Sequence, residues 1–214
     1  MLRVFANELN QPADEPTTAA SGGRGKYWRK RKDSIYLFAA RQMCLRCCPA
    51  PRSVIDIGSR WTPTLEWHRD SAKRLVSVDL CRPYAAPGVE SVVGDFLDYR
   101  DREFDLVTCF QVLEHVADAG AFAKKLLETG RVVVVSVPYR WKKGTCRSHI
   151  HDPVDEAKMR RWFGREPDYS YVARELNGVA RLIQVYRRGS PRERPESLTS
   201  RYWRALRNRL RAIR

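Results

Sequence analysis

From about residue 33 to residue 187, short apolar runs alternate with amphipathic stretches. Runs rich in β-branched residues at 53–57, 75–79, 91–93, 104–109 and 131–137 predict strands, and helical spacing predicts helices near 63–71 and 118–129. Strands that alternate with helical stretches indicate a parallel sheet with helical crossovers. The run from Arg131 to Val137 is almost continuously apolar, as expected for a central strand covered on both faces. Upstream, Ile35, Phe38, Ala39 and Met43, with Cys47 a further turn on, predict an amphipathic helix over 34–48. Asp33 or Ser34 would cap it, and Pro49 and Pro51 stop it. Near the end, β-prone runs at 169–175 and 179–187 flank Leu176-Asn177-Gly178, and Asn-Gly is a strong hairpin signal because both residues tolerate positive φ. The expected architecture is α/β: a doubly wound sheet, mostly parallel, with a C-terminal antiparallel hairpin and helices on both faces.

Length and charge refine this picture. At 214 residues the chain fits one domain able to bury a single core. Its net charge of +15 is concentrated in two flanks: residues 24–32 hold six basic side chains and no acid, and 187–214 hold ten arginines against Glu193 and Glu196. The expected organisation is a flexible basic segment over 1–32, a folded domain over 33–187 and a basic tail over 188–214. In the tail, Tyr202, Trp203, Leu206, Leu210 and Ile213 share one side of a helical pattern whose remainder is mostly arginine. That pattern suits an anionic membrane surface through 198–214, a partner groove, docking on the domain itself, or nucleic acid. Lys26-Tyr27-Trp28-Arg29 mixes cations with rings that could grip phosphates and stack bases, or form a solvated charge run. No stretch has the length and apolarity of a signal peptide or a membrane span, so a cytoplasmic protein is expected, with peripheral contact at the inner membrane surface as an option. Among the six cysteines, Cys44 and Cys47 form a CxxC without a matching second pair, which points to reduced thiols rather than structural zinc.

Acidic residues recur at the strand ends. Ser53 to Gly58 reads as a strand ending in Asp-x-Gly; the second strand ends at Asp79-Leu80, 23 positions after Asp56; the third ends Gly94-Asp95-Phe96. In an open parallel sheet, ligands sit beyond the carboxyl ends of the strands, and an acid about 20 residues after the first turn grips a ribose diol. Asp95 is suited to accept from an adenine amino group, with Phe96 packing on the ring. The fourth stretch, Phe104-Asp105-Leu106-Val107 through Val112-Leu113-Glu114-His115-Val116, resembles the corresponding segment of class I S-adenosylmethionine-dependent methyltransferases, in the small-molecule, type 11-like branch. With the pieces around Asp56, Asp79, Asp95 and 131–138, the resemblance spans about residues 52–187 in the expected order.

The resemblance implies a Rossmann-like fold, S-adenosylmethionine as cofactor and a pocket carried over residue by residue. Asp56 and Gly58 would lie near the methionine portion, Asp79 with Leu80 at the ribose, Asp95 and Phe96 at adenine, and Gln111 beside the pocket. Glu114 and His115 would flank the cofactor and the entrance for the acceptor. One departure stands out: the family's glycine-rich loop is here Gly58-Ser59-Arg60-Trp61-Thr62-Pro63, whose bulky residues could narrow the pocket, although Arg60 could pair with the methionine carboxylate. The missing glycines also argue against a dinucleotide, whose pyrophosphate needs close backbone approach.

Past the fifth strand, His149, His151 and Asp152 form a candidate acceptor-side cluster, for a general base in preference to a metal because no further ligand set is evident; the alternative is a loop whose Asp152 or Asp155 caps the next helix. The candidate catalytic residues are therefore His151, His149 and His115, with no metal expected. Cys109 lacks the Pro-Cys context of cytosine methylation, and no Asn/Asp-Pro-Pro-Tyr motif for exocyclic amines occurs. The expected function is methyl transfer to a small molecule or a glycan- or lipid-linked acceptor. An RNA methyltransferase using the basic flanks and a non-catalytic methyltransferase-like binding module are the alternatives.

Overall fold

The computed structural model describes residue 28 and residues 31–189. The tail over 198–214 and most of the basic segment over 24–32 therefore lie outside the described residues. Trp28 is half-buried against the core, and Arg31 and Lys32 donate backbone hydrogen bonds to its carbonyl, so the folded unit reaches upstream of the expected start at Asp33.

Seven strands form one sheet: β1 (Ser53–Ile57), β2 (Arg74–Asp79), β3 (Val89–Val93), β4 (Phe104–Phe110), β5 (Gly130–Pro138), β6 (Tyr169–Arg174) and β7 (Ala180–Arg187), in the order β3-β2-β1-β4-β5-β7-β6. The first five run parallel, and β7 pairs antiparallel with β5 and β6. The strand order reverses between β1 and β4, and at such a switch point the adjacent loops part and leave a crevice at the carboxyl ends. The doubly wound reading and its terminal hairpin are observed.

Helices α1 (Ile35–Cys47), α2 (Ala119–Thr129) and α3 (Glu156–Phe163) cover the sheet. On one face, Ile55, Val76, Val107, Val133 and Val135 pack beneath α2 and α3; on the other, Val54, Leu75, Leu106, Val134 and Ile183 pack beneath α1. The period-2 alternation of the strands produces both layers. Ser34 is the cap of α1, accepting from Leu37 N, and Glu175 of the β6–β7 turn accepts from Ile35 N and Tyr36 N at 3.0 Å each. Asp155, not Asp152, caps α3.

Two expectations fail locally. The buried face of α1 is Tyr36, Leu37, Ala40, Met43 and Cys44, whereas Ile35 and Phe38 are 38% and 66% exposed. This helix is apolar on most sides, so spacing alone did not fix its rotation; Glu175 at its first turn and the 2.7 Å bond from Tyr36 Oη to Ser136 Oγ did. The helix expected near 63–71 is a short 3₁₀ turn, Thr64–His68, preceded by Arg60 and Trp61 at φ 39° and 68°. Between β2 and β3, and between β3 and β4, the chain runs in loops, so β3 is a largely exposed edge.

Candidate functional site

The carboxyl ends of β1 and β2 form the first half of the crevice. Gly58 has φ +74°, and a Cβ there would stand 2.4 Å from Val112 Cγ2, so glycine is required where the β1 turn meets the segment after β4. Asp56 is 2% exposed, and Thr64 Oγ1 and Thr108 Oγ1 donate to its two oxygens at 2.5 and 2.6 Å. Burial pushes its carboxyl up to about 7 against the pull of those donors. Asp56 thus ties β1, β4 and the 3₁₀ turn together from within. Asp79 sits nearer the surface and accepts three backbone N–H groups, from Arg60 at 3.1 Å, Cys81 at 3.0 Å and Arg82 at 2.9 Å. It holds the Ser59-Arg60-Trp61 loop, whose left-handed residues each cost about 1 kcal/mol relative to glycine.

Leu80 and Val93, at the ends of β2 and β3, are 64% and 65% exposed and form an apolar rim. Asp95 is exposed, and its Oδ1 accepts from Leu97 N. Phe96 is 3% exposed with its ring on Phe122, centroids 5.0 Å apart, inside the core beneath α2. Gln111 has φ 59°; its side-chain NH₂ donates to Ser136 Oγ, and its carbonyl accepts from Arg181 Nε at 3.3 Å.

The second half follows β4 and β5. Leu113–His115 forms a 3₁₀ turn, and Ile150 N donates to Glu114 O, drawing the 146–152 loop against it. This brings His115 and His149 together edge to face at 4.8 Å, while Trp141 stacks on His149 at 5.6 Å. His149 Nδ1 donates to Asp152 Oδ2 at 2.8 Å, and His115 Nδ1 donates to Ser148 O at 2.9 Å. Burial lowers the His115 pKa below its usual value. His151 faces elsewhere: its Nε2 bonds Val116 O at 2.7 Å and its ring meets Trp162.

Glu114 is fully buried, and neither carboxylate oxygen has a hydrogen-bond partner among the described residues. His115 Nε2 stands 4.0 Å from its Oε1. Burial, aided by the Asp152 charge, pushes the Glu114 carboxyl up to about 8 against the weaker pull of its own backbone N–H and of the Arg181 charge. The charge of Arg60, from the β1 loop, reaches His115, so the two halves adjoin.

A methyltransferase-domain family profile matches residues 27–189, three quarters of the chain. The chain belongs to this methyltransferase family. It is a class I domain and, with its family, uses S-adenosylmethionine as methyl donor. Among solved structures, the methyltransferase domain is similar to Burkholderia thailandensis 1,6-didemethyltoxoflavin-N1-methyltransferase, with bound 1,6-didemethyltoxoflavin and S-adenosylhomocysteine. The identity is 18%, the TM-score 0.59, and the alignment covers 82% of this chain and 93% of that one. It is also similar to the N-methyltransferase NodS of Bradyrhizobium japonicum in complex with S-adenosylhomocysteine, at 14% identity and TM-score 0.59, covering 87% and 97%. A search of curated proteins finds no match.

Sequence reasoning missed several groups that adjoin the candidate site. Arg181, 9% exposed on β7, stacks over Tyr36 at 4.9 Å and lies 3.8 Å from Glu175. Its only signal was an arginine inside an apolar strand. Trp141 donates to Ala180 O and walls a cleft of about 540 Å³ that Arg140 and Arg174 also line. Cys44 and Cys109 are buried, and burial raises both thiols well above the ordinary range. Among the described residues, no helix is long and apolar enough to cross a membrane.

Proposed function

We propose that this methyltransferase acts on a small molecule or a glycan- or lipid-linked acceptor, whose nucleophilic atom is placed and activated at Glu114, His115 and His149. The single observation that carries this reading is the juxtaposition of two imidazoles and a buried carboxylate beside the cofactor crevice. The crevice fits an adenosyl group. Asp79 accepts three hydrogen bonds of the roughly four that a carboxylate's lone pairs allow, which leaves room for a ribose hydroxyl. Leu80 and Val93 offer apolar surface to a purine, and Asp95 an acceptor for its amino group. Gly58 permits close backbone approach, and Gln111, held by Ser136 and Arg181, borders the pocket. Phe96 supports this wall from the core side, and Asp56 keeps the β1 turn in place.

S-adenosylmethionine supplies a methyl group already activated on a sulfonium. The protein's task is therefore mainly alignment and exclusion of water, with removal of a proton where the acceptor carries one. His149 is oriented by Asp152 so that its other ring nitrogen is turned from that carboxylate. His151 acts as a positioning residue that fastens the loop to Val116. The arginine-lined cleft beside Trp141 suits an anionic acceptor. The basic tail over 198–214 suits an anionic membrane surface inside the cell. The flank charge also favours RNA, and steeply salt-dependent RNA retention would promote that alternative.

Calorimetric titration of the full chain with S-adenosylmethionine and S-adenosylhomocysteine tests the reading. Micromolar binding is expected, followed by turnover in a screen of small-molecule, glycan and lipid-linked acceptors. No binding at millimolar ligand would leave the non-catalytic module as the better account.

A further inference from the structure

We propose that Glu114, His115 and His149 form a binding site for one divalent transition-metal ion, held by one carboxylate and two imidazoles. One ligand atom from each residue lies within 4.8 Å of the other two. Bonds of about 2.0–2.2 Å to a common ion place ligand atoms roughly 3–4 Å apart, so side-chain shifts of about 1 Å close the set.

Three further observations point to an ion. Glu114 is 0% exposed and both its oxygens lack hydrogen-bond partners among the described residues, which is costly for a buried carboxylate unless something binds it. Each histidine donates its Nδ1 proton to an oxygen, His149 to Asp152 and His115 to the Ser148 carbonyl. That outer contact fixes the tautomer with Nε2 free to bind, which is the arrangement metal-ligating histidines use. The Nε2 of His115 already faces Glu114 at 4.0 Å. Finally, Asp152 is itself fully buried, with Oδ1 lacking a hydrogen-bond partner, as suits an anion supporting a ligand histidine.

Two nitrogen donors and one carboxylate favour zinc, manganese, iron or cobalt over magnesium or calcium, which prefer oxygen. With three protein ligands, coordination positions remain for an exogenous atom. Resting on the proposed methyl-transfer reading, that atom is an acceptor oxygen. The ion lowers the pKa of its hydroxyl, the proton passes to solvent, and the resulting alkoxide attacks the methyl carbon in line, so that an O–C bond forms as the C–S bond breaks with its electron pair left on sulfur. The ion site itself does not depend on that reading.

The test uses the full chain, stripped with a chelator and titrated with Co²⁺ alone. One equivalent should produce the intense visible bands of a four- or five-coordinate N/O site, without the near-ultraviolet charge-transfer band that a thiolate from Cys44 or Cys47 would give. Glu114→Gln and His115→Ala should weaken Co²⁺ binding at least 100-fold, and Asp152→Asn about 10–100-fold. His115 is 38% exposed, so its truncation should leave the fold intact by circular dichroism. Absence of these bands at saturating Co²⁺, a thiolate band, or bands that persist in both Glu114→Gln and His115→Ala would overturn the proposal. Titration with S-adenosylhomocysteine on the same samples separates the two readings: the ion site survives if cofactor binding fails, and cofactor binding survives if the ion site fails.

Discussion

Of the carboxylates buried at the crevice, Asp56 and Glu114 are treated differently. Asp56, at the end of β1, receives a hydroxyl on each oxygen from Thr64 and Thr108. Glu114, just past β4, is as thoroughly buried, yet neither of its oxygens has a hydrogen-bond partner among the described residues. A buried acid that is satisfied from within holds its surroundings together. One that is left unsatisfied destabilises the fold and is retained for what it can bind. The Asp56 carboxylate is therefore completed from within, whereas the Glu114 carboxylate, on the proposed reading part of the acceptor side, is open to a ligand from outside the chain.

Removing a donor from each region sharpens the contrast. Thr108→Val leaves one Asp56 oxygen without its hydroxyl and should cost about 2 kcal/mol in urea-induced unfolding. Another buried polar group, His68, has no hydrogen-bond partner on either nitrogen among the described residues, and burial, aided by the Arg41 charge, lowers its pKa to about 4. The unfolded chain takes up this proton near the ordinary value of 6.5 and the folded chain only near 4, so this histidine should erode stability as pH falls from 6.5 to 4. His68→Leu should flatten that part of the stability–pH profile. Smallest of all, Glu114→Gln in metal-free protein should change stability by less than about 0.5 kcal/mol, because no partner is lost. A loss of 2 kcal/mol there would mean that Glu114 is as integral as Asp56, and the contrast would fail.

Much of the fold was legible because strands write their burial directly into the chain. The five parallel strands and the Asn177-Gly178 hairpin follow from runs and turns that no tertiary contact overrides. The rotation of α1 was not legible: Phe38 fits the helical period as well as Leu37 does, and the choice rests on Glu175 and Ser136, both more than 90 residues away. The 3₁₀ turn at Thr64–His68 escaped for a related reason, since the length of that segment is set by Asp56 capturing Thr64.

The candidate site divides the same way. Acidic strand ends announce themselves through spacing, so Asp79 and Asp95 were visible at once. His115 and His149 were both noticed, but their meeting depends on the backbone bond from Ile150 to Glu114. The isolation of the Glu114 carboxylate is a property of its neighbours, which no local pattern records.

The division into two halves is tested most directly by titrating S-adenosylhomocysteine into wild type, Asp79→Ala and Glu114→Gln in parallel. The account predicts that Asp79→Ala loses at least 10-fold in affinity, about 1.4 kcal/mol, while Glu114→Gln binds as wild type does. Wild-type binding by Asp79→Ala, or loss of binding in Glu114→Gln, would contradict it.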